Sequence, residues 1–275
     1  MLDVLRKCGA RPGVVFHDLA PLAGKGIVGS AREYCHLSVL RQLYARTDVA
    51  IFTLPVRKIS WLPAHRDKAS FIPVGANCPE LLPESSCEDR GKNTIAVYGV
   101  TGGANTLPEV ADIAFVARQV SESSLPLCLI VFGRGSKEAE LALRAALADT
   151  DIEIEALGLV SPEQVTKTLA RADVLLFVRG QISSRRGSAM AGIACGLPIV
   201  CYSGPETDWP VTEAGILAVP AGDRQALAVA VGNVLSDAAL RTALSNRSRN
   251  AQQKYFSWQA ITGQLRESLT RGARQ

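Results

Sequence analysis

From Lys92 to Val219 short runs rich in Val, Ile and Leu alternate with runs of helical apolar spacing. That is the pattern of a parallel sheet covered by helices on both faces, an α/β doubly wound (Rossmann-like) domain. The strand-type runs are Thr94–Tyr98, Leu127–Phe132, Ile152–Ala156, Val174–Val178, Ile199–Tyr202 and Ile216–Val219. Most are continuously apolar, as strands buried on both faces are. The helical runs fall near Pro108–Ser121, Lys137–Ala148, Pro162–Arg171 and Ala189–Cys195. Ser161-Pro162-Glu163-Gln164 reads as a helix start, with Ser as the cap, Pro in the first turn and Gln where a capping box wants it. Cys195-Gly196-Leu197-Pro198 reads as a stop. Asp223 opens another helix, and Asp237 to about Ser268 is helical with a break at Phe256-Ser257-Trp258.

The first 75 residues form a shorter unit, with strand Gly13–His17, helix Ser30–Arg46, strand Val49–Thr53 and an extended segment Ser70–Val74. Prolines, paired serines and mixed charges mark the stretch after it, residues 76–93, as a linker. The 275 residues suffice for nearly two domains. A net charge of +4 without a clustered basic face, and only 5% aromatic residues, argue against nucleic acid as a partner. The seven cysteines are scattered and form no Cys-x-x-Cys pair. They read as small hydrophobes or idle thiols in a reducing, cytoplasmic setting. The charged N-terminus does not resemble a signal peptide, and no run approaches the roughly 18 apolar residues of a membrane span.

A doubly wound sheet of this kind usually takes the strand order 3-2-1-4-5-6. Its first and fourth strands then lie side by side where the winding reverses, and ligands bind at their carboxyl ends. After the first strand comes Gly99-Val100-Thr101-Gly102-Gly103-Ala104-Asn105. Gly102 and Gly103 would let a ligand approach the backbone, although a simple turn has the same composition. After the fourth strand comes the loop Arg179-Gly180-Gln181-Ile182-Ser183-Ser184-Arg185-Arg186-Gly187-Ser188, leading into a helix. Two hydroxyls, two guanidiniums and a helix start suit a diphosphate. Solvated loop charges and a capping Ser188 would give the same letters. Phe132-Gly133-Arg134-Gly135-Ser136 also lies at a strand end, without the Walker spacing, and is open to reading as a turn.

Several segments in order resemble the GT-B-fold glycosyltransferases, in particular the group of retaining bacterial sugar transferases. They are Phe71-Ile72-Pro73-Val74-Gly75-Ala76-Asn77, Leu129-Ile130-Val131-Phe132-Gly133, Ala172-Asp173-Val174-Leu175-Leu176, Ala194-Cys195-Gly196-Leu197-Pro198-Ile199-Val200 and Phe256-Ser257-Trp258. The resemblance implies transfer of a sugar from a nucleoside-diphosphate sugar to an unidentified saccharide or lipid-linked acceptor hydroxyl, in cell-surface polysaccharide or glycoconjugate synthesis. It implies no metal and no other cofactor, and leaves room for peripheral association with the inner face of the membrane. In domain terms, residues 1–75 would be the trailing part of an acceptor-side domain and 94–255 the donor domain. Residues 256–275 would be a helix crossing back to the first.

The resemblance implies donor contacts at Gly102, Gly103, Ser183, Ser184, Arg185, Arg186, Gly187 and Ser188, and at Glu206 and Thr207, which a turn would also explain. His17, at the end of the first strand, is the candidate catalytic group or sugar contact, and reads equally as a surface histidine. His36 and His65 read as structural or solvated. The group usually carries two glutamates before its Ala-x-Gly-x-Pro segment, where this chain has Ser183 and Ala191. The first domain also begins late. Two other readings therefore stay open: a binder without turnover and, against the scarcity of histidines, a nucleotide-sugar 2-epimerase.

Overall fold

The computed structural model describes residues 2–19, 26–79, 91–122 and 126–271. The chain divides into one unit of Met1–Val74 with Trp258–Gln275 and a second of Gly75–Ser257. In the first, α1 (Leu2–Lys7), β1 (Gly13–Phe16), α2 (Gly26–Arg46), β2 (Val49–Phe52) and β3 (Ala69–Phe71) follow in order. The strands are parallel and lie in the order β1-β2-β3. One face of this sheet carries an aromatic core: Phe16 stacks on Phe52 at 4.8 Å, with Tyr44 and Trp61 tilted against them. The buried Trp61 Nε1–H donates to the Leu19 carbonyl at 3.1 Å, so its polar edge is satisfied. On the other face Val49, Ile51 and Ile72 pack with Ile261 and Leu265 of the C-terminal helix.

Helix α2 begins four residues before the expected Ser30. Ser30 is not a cap; its hydroxyl donates back to the Gly26 carbonyl from inside the helix. The expected linker lies mostly outside the described residues. Of its described part, Ala76 is buried in the second unit, and the Pro79 carbonyl accepts the Thr166 hydroxyl at 3.0 Å.

The second unit holds six parallel strands, β4 (Asn93–Tyr98), β5 (Leu127–Phe132), β6 (Glu153–Gly158), β7 (Val174–Gln181), β8 (Ile199–Tyr202) and β9 (Ile216–Val219). Their order, β6-β5-β4-β7-β8-β9, is the expected 3-2-1-4-5-6. Successive side chains enter opposite cores, as the two-residue period of a strand requires. Leu127, Leu129 and Val131 join α3 (Thr106–Ser121), α4 (Ser136–Ala146) and α7 (Arg224–Ser236). Cys128, Ile130 and Phe132 join α5 (Pro162–Ala170) and α6 (Gly187–Ala194) on the other side. Then come α8 (Ala238–Ala251), a wide turn Gln252–Phe256 and α9 (Trp258–Arg271), so the helical tail breaks where the sequence places the break. Among the described residues no single helix is long and apolar enough to cross a membrane.

The Ser161 side chain accepts the Gln164 N–H at 3.3 Å, while the Gln164 amide reaches forward to Thr168. The stop is a Schellman motif: Gly196 takes φ +67°, its N–H reaches the Ile193 carbonyl, and the Leu197 N–H reaches Gly192. Two boundaries differ in ways that matter for the site. β7 extends to Gln181, three residues past the expected Val178, because a register shift after Phe177 re-pairs Gln181 with Tyr202. Helix α6 begins at Gly187, so Ser188 lies inside its first turn and Arg186 is the capping residue.

Candidate active site at the sheet crossover

β4 and β7 are neighbours, and their chains leave for opposite faces of the sheet. The carboxyl ends of these two strands therefore open the crevice in which such folds bind ligands. On the β4 side, Gly99 has φ +85° and donates its N–H to the Phe132 carbonyl at 2.7 Å. The Thr101 N–H is held by the buried Glu109 carboxylate at 2.7 Å, and the Thr101 carbonyl accepts the Thr106 hydroxyl at 2.8 Å. Around the Cβ positions of Gly102 and Gly103 there is open space, which leaves the backbone approachable. The Gly133–Gly135 segment is a packing turn. A Cβ on Gly135 would lie 2.1 Å from the Val100 carbonyl oxygen, so this segment supports the β4 loop from behind.

Across the crevice, Arg179 projects from the extended part of β7. Its Nη1 comes within 2.9 Å of the place a Gly99 Cβ would occupy, and its Nε reaches Thr101 Oγ1 at 3.5 Å. Among the described residues no carboxylate pairs with it. Arg185 is placed differently. Its Nε and one terminal nitrogen make a two-point pair with Glu206 at 2.9 and 2.8 Å, with both side chains less than a fifth exposed. Burial pushes the Glu206 carboxyl up, but the Arg185 hydrogen bonds and charge, Ser183 and the Arg186 charge outweigh it and hold the group below the usual carboxylate range.

The loops after β7 and β8 are joined at further points. The Glu206 N–H donates to Gln181 Oε1 at 2.8 Å, the Thr207 hydroxyl donates to the Ile182 carbonyl at 2.9 Å, and the Gly204 N–H donates to Thr207 Oγ1 at 3.0 Å. Gly204 has to be glycine: a Cβ there would lie 2.3 Å from Gln181 Oε1.

The structure thus brings Gly102, Gly103, Ser183, Ser184, Arg185, Arg186, Gly187, Ser188, Glu206 and Thr207 to the carboxyl end of one sheet. Their roles are not equal. Ser183 and Ser184 are buried, at 0% and 2% exposure, where phosphate-facing hydroxyls were expected. Ser183 lies close enough to Glu206 to favour its charge, without meeting a partner at full hydrogen-bond geometry. Gly187 and Ser188 carry backbone N–H groups of the first turn of α6, which have no partner within the helix. His17 is exposed in the first unit, one residue past β1, and its carbonyl accepts the Thr53 hydroxyl. His65 pairs at the surface with Asp67.

The family described as "Glycosyl transferases group 1" matches residues 100–237, which is 138 of the 275 residues. The chain belongs to the group 1 glycosyltransferases. No curated protein sequence matches it at a significant level. Among solved structures it is similar to the Anabaena protein Alr3699/HepE, in complex with UDP, with a TM-score of 0.71 at 14% identity. That likeness covers 98% of this chain and 74% of the Anabaena one. Similarity to TarM of S. aureus has a TM-score of 0.65 at 11% identity, over 94% of this chain and half of TarM. The lipopolysaccharide outer core galactosyltransferase WaaB has a TM-score of 0.61 at 11% identity, over 98% and 77%. At such identities the likeness establishes the shared GT-B fold.

For a group 1 glycosyltransferase, two features escaped the sequence reading. Arg179 was placed in a loop because its strand was ended too early; the unbroken Val174–Val178 run gave no sign of the register shift. The cysteines were read as idle because no base lies nearby, yet the partner of Cys78 is another thiol. A hydrogen bond with the Cys195 thiol holds the Cys78 thiol below its ordinary range. Elsewhere Cys128, Glu153 and Glu155 bring possible metal-ligating atoms within 4.8 Å of one another. Lys92 already pairs with Glu153 and Arg171 with Glu155, at the amino ends of β5 and β6, away from the crevice.

Proposed function

We propose that this glycosyltransferase moves a sugar from a UDP-sugar to a hydroxyl of a saccharide or lipid-linked acceptor. UDP and UDP-glucose are bound by the Anabaena relative. The observation that carries the reading here is the β4–β7 crevice, where guanidinium groups and the first turn of α6 meet. In the reaction the bond from the anomeric carbon to the diphosphate breaks, the electron pair leaves with the diphosphate, and the acceptor oxygen bonds to the carbon as its proton departs. Negative charge grows on the leaving group, so fixed cations and N–H dipoles act most strongly in the transition state. Two unit charges 4 Å apart attract by about 4 kcal/mol at an effective dielectric of 20, against about 1 in water. On this reading a metal is dispensable and the reaction belongs on the cytoplasmic side, where assembly of a surface polysaccharide would begin.

The test is transfer or slow hydrolysis from a panel of labelled UDP-, GDP- and dTDP-sugars, in EDTA and with a mixed saccharide acceptor pool. Turnover restricted to UDP-sugars supports the reading. Turnover of another nucleotide class alone refutes the uridine assignment. The second reading, a nucleotide-sugar binder without turnover, draws on one observation: Ser183 and Ala191 are buried and supply no carboxylate. UDP binding with no transfer and no hydrolysis would favour it.

A further inference from the structure

We infer that Arg179 is the catalytic residue that receives the donor's diphosphate, while Arg185 chiefly ties two loops together through Glu206. The inference rests on the proposed use of a nucleotide-sugar and assigns a residue within that site. Position is the first argument. Arg179 stands at the carboxyl end of β7, beside β4, where the winding reverses, whereas Arg185 lies further along the loop. Charge is the second. The Glu206 carboxylate balances Arg185 at two points, but among the described residues Arg179 has no acidic partner. An approaching anion meets an unbalanced guanidinium at Arg179, whereas the Arg185 charge is already balanced by Glu206, with Arg186 beside the pair.

Room is the third argument. Gly99 lacks the side chain that would strike the guanidinium, so Arg179 can lie against the backbone of the β4 loop. Thr101 gives its Nε a weak contact at 3.5 Å that a phosphate oxygen can replace. The fork of Arg179 would then hold the diphosphate on the β7 side while the N–H groups of α6 hold it on the other.

The experiment is calorimetric titration of the full chain with UDP and, separately, with inorganic pyrophosphate, with folding checked by circular dichroism and melting. Arg179→Gln should weaken both ligands by roughly 10–100-fold. Arg179→Lys keeps the charge but loses the fork, and should fall between Gln and wild type; it also serves if the Gln variant does not fold. Arg185→Gln should lower the melting temperature more than Arg179→Gln does, and affinity less. Arg118→Gln, which removes a surface charge paired with Asp149 at the opposite end of the sheet, should stay within about twofold of wild type.

Wild-type affinity for both ligands in Arg179→Gln overturns the inference and leaves the donor reading intact, as does loss of UDP with pyrophosphate unaffected. A wild-type protein that binds neither ligand also overturns it. Pyrophosphate binding that is lost in Arg179→Gln, in a protein that binds no UDP, upholds Arg179 and refutes the uridine donor.

Discussion

The two sheets are built alike and wound differently. In the smaller unit β1, β2 and β3 lie side by side in chain order, so among the described residues no strand pair marks a reversal. In the larger one the chain starts near the middle at β4, runs out to β6, and returns to β7 on the other side. Both have a fully buried interior strand, β2 in one and β5 in the other. Apolar composition therefore does not decide which sheet holds a crevice; connectivity does. Within each sheet, edge and interior strands differ: β6 and β9, the edges of the larger sheet, are only partly buried. Val15 on β1 is 62% exposed, whereas Ile130 and Phe132 on β5 are wholly covered.

The largest effect expected from this contrast is at Phe132, which stacks on Tyr98 at 4.6 Å beneath the crevice. Phe132→Ala should cost about 3–5 kcal/mol in urea unfolding, and a loss below 1 would show that the larger core is looser than its burial implies. Next is Glu206→Gln, expected to cost about 1.5–3 kcal/mol because it leaves Arg185 half-buried with a neutral partner. Glu206 titrates lower in the folded chain than in the unfolded one. Its contribution is thus present above the usual carboxylate range and is lost as pH falls through the folded value. The wild type should lose stability on acidification more steeply than Glu206→Gln, and parallel acid limbs would argue against the pair. Ser161→Ala removes a working helix cap and should cost about 1 kcal/mol by thermal melting. At the exposed edge Val15→Ala should change stability by less than about 0.5 kcal/mol, and a larger loss would mean that β1 is covered in solution.

Much of the larger unit was legible because its signals are local. Strands Leu127–Phe132, Ile199–Tyr202 and Ile216–Val219 have the bounds read from the sequence, since each is an apolar run closed by turn residues. The order of the sheet followed from alternation alone. What could not be read depended on partners distant in sequence. Arg185 and Glu206 were both named as donor contacts, but nothing in their spacing says that they would neutralise each other across two loops. Arg179 needed knowledge of a register shift. The need for glycine at position 204 comes from the Gln181 side chain against it, a neighbour far off in sequence.

The joining of these two loops bears on how such a site can diversify. Residues 181–186 and 203–207 meet through Gln181, Ile182, Arg185, Gly204, Glu206 and Thr207. A change on one side therefore alters what is tolerated on the other, and single-site libraries confined to either loop would mostly sample incompatible halves. Recombining the two stretches as one cassette is the mutational route along which this part of the crevice could change while the protein stays folded.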